Sequence, residues 1–162
     1  MELERWSIIS KSKTKIIFKN TEIGKFPSDW RIQPLSNLIK KVFTGRDPKG
    51  GKLTESKVTT GIKIIKSANV YDGFLDFRKA GEISHDVAKT ITSAEIFEND
   101  VLLNQLGDGV TFARSCIVSK DALPAYVTRS VGVIRVDSEK MIPGFLNAYL
   151  VLPQTKLYIE SL

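Results

Sequence analysis

Short apolar and β-branched segments alternate with polar turns from residue 62 onward. Segments of this kind, bounded by Gly, Asp and Ser, are typical of strands, and five have a strand's length: 62–65, 73–77, 101–106, 113–118 and 130–136. Asp72-Gly73 is a strong turn signal between two of them. Residues 84–95 are predicted to form a short helix, with Ser84 as its cap and Val87, Ala88 and Ile91 on one face.

The two ends of the chain follow other patterns. Residues 1–22 are polar and lysine-rich around a short apolar stretch, which predicts a basic arm or a first strand. Ser36 can cap a short helical turn, and residues 44–60 predict a long exposed loop. Near the C-terminus, Pro143 suits a first helical turn and Pro153 breaks and restarts the helix. A stripe at helical spacing lies between them: Phe145, Leu146, Tyr149 and Leu150.

Together these elements predict an α+β fold, with a mixed, curved β-sheet and a few short helices. We expect four aromatic side chains in its core: Trp30, Phe43, Phe97 and Phe145. Three regions are expected: the arm or first strand at 1–22, a main domain at 23–152, and the start of a connecting helix at 153–162.

Composition bounds the class of protein. The chain has 162 residues, 42% of them hydrophobic, which suits one domain with a real core. No apolar run is long enough to span a membrane, and the first twenty residues do not have the pattern of a secretory signal. Cys116 is the single cysteine, so an intramolecular disulfide and a cysteine-built zinc site are excluded, and a reducing cytoplasm is the expected location.

The positive charge is concentrated in the first third of the chain. The net charge is +6, and residues 1–60 alone hold thirteen Lys or Arg against six Asp or Glu, or +7. A concentrated basic surface supplies the sequence-independent part of DNA affinity, although a merely solvated face has the same composition.

The sequence offers little for catalysis. His85 has no second histidine beside which to build a site, and Cys116 lies in an apolar run typical of a buried thiol. Gly107-Asp108-Gly109 is best interpreted as a tight turn. Glu55-Ser56-Lys57 has the spacing of some metal-dependent nucleases, but the upstream Asp47 lies in the same polar loop, which cannot hold a metal's geometry. Binding is therefore favoured over catalysis.

Four segments resemble, in order, motifs of type I restriction–modification specificity subunits. The first runs from Ile23 to Trp30 and continues through Pro34-Leu35 to Thr44-Gly45-Arg46-Asp47-Pro48, similar to the family's "IG-x-IP-x-x-W … L … TG-x-x-P". Ile65 to Val70 with Asp72-Gly73 resembles "R-S-A-N-I-x-x-G". Phe97 to Leu103, running to Gly107 and then a glycine turn and an apolar strand, resembles "GD-[IV]-L … G … G", with Asn99 where the family usually has Gly. Pro143 to Leu150 is similar to "P-x-[FY]-L-x-Y-x-L". The resemblance covers roughly residues 20–160.

This resemblance implies a DNA target recognition domain at 23–152. Such a domain reads one half of a bipartite target, directs DNA methylation and restriction by partner subunits, and is not itself catalytic. S-adenosylmethionine, ATP and Mg²⁺ would then be cofactors of the modification (methyltransferase) and restriction (translocase-nuclease) subunits, and none is expected here. The family's long conserved helix would begin where this sequence stops, so the chain is expected to be a fragment or a half-subunit, with most partner-binding regions outside it.

Candidate DNA contacts are polar residues on loops beside the predicted strands, because Lys and Arg can bond guanine and Asn and Gln can bond adenine. They are Arg46, Lys49, Lys52 and Lys57 in the long loop; Lys63, Lys66, Ser67 and Asn69; Asn104, Gln105, Thr111 and Arg114; and Thr128, Arg129 and Ser130. For the basic residues, simple solvation and phosphate contact are both open. Asn104 or Gln105 either points inward with its hydrogen bonds satisfied or faces a ligand.

Two alternatives stay open at this point. The chain could be the DNA-recognition tail of a fused restriction–methyltransferase, whose surrounding reading frame would carry a methyltransferase motif absent here. It could also be a protein-interaction module without a DNA role, and steep salt-dependent binding to duplex DNA would argue against that.

Overall fold

A computed structural model of the chain describes residues 17–21, 24–48, 61–107 and 109–161. These residues fall into two compact units, which divide between Pro34 and Leu35. The first contains an antiparallel ribbon of β1 (Phe18–Thr21) and β2 (Gly24–Pro27). Trp30 stacks on Phe26 beside this ribbon, with the ring centroids 6.0 Å apart. Its side chain is 52% exposed, so the expectation that Trp30 lies in the core is wrong: the small ribbon offers one aromatic partner and cannot enclose the indole.

The second unit contains ten strands and three helices among its described residues. In chain order these are β3 (Ile39–Thr44), β4 (Lys63–Ile65), β5 (Val70–Tyr71), β6 (Phe74–Leu75), β7 (Gly81–Glu82), α1 (His85–Thr90), β8 (Glu95–Ile96), β9 (Val101–Asn104), β10 (Ser115–Ile117), β11 (Ala125–Val127), β12 (Val131–Val136), α2 (Pro143–Leu150) and α3 (Pro153–Glu160). The predicted α+β class is therefore confirmed.

The strands form two four-stranded sheets and a small hairpin. One sheet is antiparallel, with the order β10-β9-β12-β3. The other has the order β7-β4-β11-β8 and is mixed, because β4 and β11 run parallel while the outer pairs are antiparallel. β5 and β6 form the hairpin whose turn is Asp72-Gly73, and Gly73 adopts φ +72°, a conformation that favours glycine. The prediction of a mixed sheet is confirmed, and the antiparallel sheet is an addition to it.

Alternation along the antiparallel strands builds two cores. Leu102 and Val133 are paired neighbours on one face and join the main core with the apolar residues of the mixed sheet and Ala88 of α1. Val101 and Ile134, the next pair along, point the other way and pack with Leu146 and Leu150 of α2. The antiparallel sheet is thus covered on both faces.

The helices begin where their caps predict. The Ser84 hydroxyl accepts a hydrogen bond from the Val87 N–H at 3.3 Å, and Pro143 lies in the first turn of α2. α1 ends at Thr90, earlier than the predicted 95, because a 3₁₀ turn (Thr92–Ala94) and β8 follow it.

The stripe on α2 is only half buried. Leu146 and Leu150 face the antiparallel sheet, whereas Phe145 is 63% exposed and Tyr149 is 55% exposed. Placing Phe145 in the core is therefore wrong, because only the adjacent i, i+4 pair meets the sheet.

A partly buried ion pair joins Asp100, the residue before β9, to Arg135 of β12. Asp100, 1% exposed, accepts two 2.7 Å hydrogen bonds from the Arg135 guanidinium and one from the Phe97 N–H, and this hydrogen bonding raises the pKa of Arg135. The guanidinium lies 4.5 Å from the Phe97 ring centroid and 5.6 Å from that of Phe43. Phe43 packs on the main core as expected, but Phe97 is 47% exposed because it covers the ion pair from outside, so its core assignment is wrong.

The first residues of the segment predicted as an exposed loop, 44–60, include the end of a strand and two buried positions. Thr44 ends β3, and both Gly45 and Pro48 are buried. Residues 49–60 lie outside the described residues, as does Asp108 of the predicted Gly107-Asp108-Gly109 turn.

Candidate nucleic-acid interface

Five strand ends meet at one edge of the second unit. β3, β4, β9 and β11 finish there and β12 begins there, as three backbone hydrogen bonds show: Gly45 N–H to Val131 at 3.1 Å, Thr128 N–H to Ile65 at 2.9 Å, and Gln105 N–H to Ser130 at 3.1 Å. This edge, the strand-end surface, gathers eight of the candidate residues: Arg46, Lys66, Ser67, Asn104, Gln105, Thr128, Arg129 and Ser130. Residues that are distant in sequence are thereby brought together.

Gly45 allows β3 to cross closely over the end of β11. A Cβ at this position would lie 2.2 Å from the Val127 carbonyl oxygen and 2.4 Å from that of Thr128, both backbone atoms that cannot move aside cheaply. The Arg46 N–H then donates to the Val127 carbonyl at 3.0 Å. The backbone of this crossing is fixed, and the next two side chains, Arg46 and Asp47, are exposed.

Arg129 and Asp47 form an ion pair on the strand-end surface. Arg129 Nε lies 2.9 Å from Asp47 Oδ2, and the Arg129 N–H donates to Asp47 Oδ1 at 3.3 Å. The Arg129 side chain is 77% exposed. The sequence had pointed to Asp47 only as a possible metal ligand, and its role as the partner of Arg129 was missed because the two residues are 82 positions apart.

Several candidate side chains are occupied inside the protein. Asn104 is 1% exposed, and its Nδ2 donates to the carbonyls of Ser67 at 2.9 Å and Thr111 at 3.0 Å. Asn69 is also buried. Its Oδ1 accepts a hydrogen bond from the Lys66 N–H, and its Nδ2 donates to the Asp76 carbonyl. The hydrogen bonds of these two side-chain amides hold the loops beside the strand-end surface in place.

The hydroxyl and amide side chains around the β11–β12 connection are buried or half-buried. Thr128 is buried, and its hydroxyl lies 3.0 Å from that of the half-buried Ser130. Gln105 is half-buried, and its Nε2 donates to the Arg129 carbonyl at 2.8 Å. Gln105 thereby holds the backbone that carries Arg129.

The remaining candidates lie elsewhere or outside the described residues. Lys63 begins β4, at the opposite end of that strand from the strand-end surface. In the antiparallel register its backbone lies opposite that of Glu82 of β7. The half-buried Arg114 guanidinium lies 5.1 Å from the Tyr71 ring centroid, beyond the turn that holds the half-buried Thr111. Lys49, Lys52 and Lys57 are not among the described residues, and neither is the Glu55-Ser56-Lys57 pattern.

Three kinds of group bear on catalysis: possible metal ligands, the cysteine and the histidine. No group of three His, Cys, Asp or Glu side chains there could hold a metal ion. Cys116 is fully buried, and burial, with a smaller contribution from Asp72, raises the pKa of its thiol to about 12. His85 is an exposed residue at the start of α1. No helix among the described residues is long and apolar enough to cross a membrane.

Comparisons with known proteins give two relatives. No family model matches the chain. It is 21% identical over 131 residues to the MjaX specificity subunit of a type I restriction enzyme from Methanocaldococcus jannaschii, covering 80% of this chain and 29% of that protein. It is 24% identical over 156 residues to the EcoBI type I restriction enzyme specificity subunit from Escherichia coli, covering 93% of this chain and 31% of that protein.

These relatives confirm the resemblance found in the motifs. The chain is similar to type I restriction enzyme specificity subunits over four fifths or more of its own length, and it spans less than a third of the length of either relative.

Proposed function

We propose that this chain is a target recognition domain that binds duplex DNA sequence-specifically and reads one half of a bipartite target for a type I restriction–modification complex. The observation that carries the proposal is the strand-end surface, where exposed Arg46, Lys66 and Arg129 lie on a backbone fixed by two sheets. The similarity to specificity subunits supports it.

The strand-end surface suits DNA for two physical reasons. Its exposed Arg46 and Lys66 side chains can neutralise phosphates, which supplies a large share of DNA affinity and makes it depend on salt. Its backbone is tied into two sheets, so donors on it keep their positions when the protein meets base edges in the groove.

In this proposal the chain itself is not catalytic. Methylation and cleavage belong to the modification and restriction subunits, which would bind S-adenosylmethionine, ATP and Mg²⁺, and the chain supplies the choice of site. Partner contacts are assigned mostly to the part of a specificity subunit that this chain does not span.

A salt titration of DNA binding tests the proposal. Fluorescence anisotropy of a labelled random-sequence duplex, measured from 50 to 200 mM KCl, gives the slope of log K against log salt. Each phosphate contact contributes about −0.9 to that slope. Arg46→Ala and Lys66→Ala should each make the slope shallower by about one unit and lower affinity for all sequences.

The matched control is Lys89→Ala, which removes an equal charge from α1, the helix that follows β7 at the opposite end of β4 from the strand-end surface. It should leave the slope unchanged. The triple variant of Lys49, Lys52 and Lys57 measures the contribution of the basic segment outside the described residues. Slopes that do not change with Arg46→Ala, Lys66→Ala and the triple variant would contradict the proposal.

A further inference from the structure

The carboxylate of Asp47 contacts both the side chain and the backbone of Arg129. Oδ2 lies 2.9 Å from Nε of the guanidinium, and Oδ1 accepts from the backbone N–H at 3.3 Å. A carboxylate held by both the backbone and the side chain of one arginine fixes the direction in which that side chain leaves the backbone. The contact with Asp47 therefore sets the orientation of the exposed Arg129 side chain.

Both partners of this contact stand on a fixed backbone. Asp47 lies between buried Gly45 and buried Pro48, at the crossing that admits no Cβ. The Arg129 carbonyl accepts a 2.8 Å hydrogen bond from Gln105 Nε2, so the arginine is held on both sides of its Cα. The backbone of Arg129 is therefore fixed before a ligand binds, and part of the ordering cost of its side chain is met by the Asp47 contact.

The contact leaves the outer end of the guanidinium available. A guanidinium carries five N–H donors, one on Nε and two on each Nη. Asp47 takes the Nε side, and within the described residues neither Nη atom of Arg129 has a hydrogen-bond partner. The two Nη groups at the exposed end form a planar fork whose natural partner is a pair of adjacent acceptors.

The charge of the pair favours a base over a phosphate as that partner. Asp47 offsets most of the positive charge of Arg129 and would repel a phosphate that approached the fork. Guanine presents N7 and O6 as adjacent, uncharged acceptors in the major groove, and a bidentate arginine matches them. Exposed Arg46, for which no acidic partner is found among the described residues, keeps its full charge for phosphate.

From this geometry we propose that Arg129 reads one guanine of the target end-on through its Nη groups, and that Asp47 is the positioning residue that aims it. The inference rests on the proposed function, since it assigns one base contact within the DNA-binding surface. It predicts that sequence preference at one position depends on two residues, only one of which touches the base.

Selection from a random duplex library by the full chain, followed by sequencing, tests the inference. The wild-type protein should enrich a guanine at one position. Arg129→Ala should lower that preference by about 5- to 150-fold and leave the other positions as they were, which is the range expected for loss of one bidentate contact. Arg129→Lys should also lose most of it, because an ammonium keeps the charge without the fork.

Asp47 variants separate aiming from simple structural support. Asp47→Ala should weaken the same guanine preference, raise affinity for random DNA, and steepen the salt slope by up to about one unit, because Arg129 is then free to bind phosphate. Asp47→Asn should keep part of the preference, since an amide oxygen can still accept from Nε. A merely destabilised surface would lower affinity for every sequence and make the slope no steeper. Melting temperatures of all variants identify any that fail to fold.

Each outcome supports or overturns a specific statement. A wild-type chain that neither binds nor enriches any sequence overturns the proposed function and the inference with it. A wild-type preference that survives Arg129→Ala overturns the inference alone and leaves the proposed function standing. A guanine preference that needs Arg129 but is unaffected by Asp47→Ala overturns the positioning role. The control Arg46→Ala should lower affinity on all sequences and keep the guanine.

Discussion

Replacing Asn104 with alanine separates a structural amide from a DNA-contacting one. Its Nδ2 joins two loops by donating to the carbonyls of Ser67 and Thr111, and its Oδ1 is buried with no partner among the described residues. Two lost hydrogen bonds cost about 1 kcal/mol each. The small cavity adds to this loss and removal of the orphaned oxygen offsets part of it, so the free energy of unfolding should fall by about 2 kcal/mol.

Asn104→Asp should be worse, because a carboxylate oxygen would then face two carbonyl oxygens in a buried site, and we expect a loss of at least about 3 kcal/mol. For a chain of this length, about 2 kcal/mol corresponds to a melting temperature lower by roughly 6 °C. Urea denaturation and calorimetry measure both, with Gln105→Ala as the neighbouring amide control, expected to cost less than about 1 kcal/mol. An Asn104→Ala protein with unchanged stability and an altered base preference would refute this reasoning.

Three further predictions concern other buried groups. Gly45→Ala should destabilise the fold by more than about 3 kcal/mol, because its Cβ meets the Val127 carbonyl, whereas Gly109→Ala, where a Cβ would meet nothing within 4 Å, should cost less than about 1 kcal/mol in urea denaturation. Thr155→Val removes a buried hydroxyl without a partner among the described residues and should raise the free energy of unfolding by about 0.5–1 kcal/mol, measured the same way. Cys116, with its thiol pKa raised from 9.0 to about 12, should react with Ellman's reagent at pH 8 only on unfolding; stability should fall as pH rises from 9 towards 12, since the unfolded thiol ionises there first.

Features that depend only on neighbouring residues could be predicted from the sequence. The Asp72-Gly73 turn, the Ser84 cap and the proline at the start of α2 each depend on the chemistry of a few adjacent positions. The inward direction of Asn104 was also within reach, because the period of two in a strand places it on the same face as buried Leu102.

Features that depend on distant partners could not be predicted. β11 is three residues long and becomes a strand by pairing with β4, more than sixty positions away, and with β8. On α2, the pairs Phe145/Tyr149 and Leu146/Leu150 have the same spacing, and only the position of the antiparallel sheet decides which is buried. The Asp47–Arg129 contact likewise exists only once β3 and β11 finish at the same edge.

The separation of buried supports from exposed side chains at the strand ends bears on how such a protein diversifies. Gly45, Asn104 and Thr128 are committed to the interior, and changing them disturbs the fold. Arg46 and Arg129 project outward, where substitutions usually alter stability by less than about 0.5 kcal/mol. A lineage can therefore exchange the outward side chains one at a time without first acquiring compensating mutations in the core. Under the proposed function, new target sequences are then reachable through a series of folded intermediates.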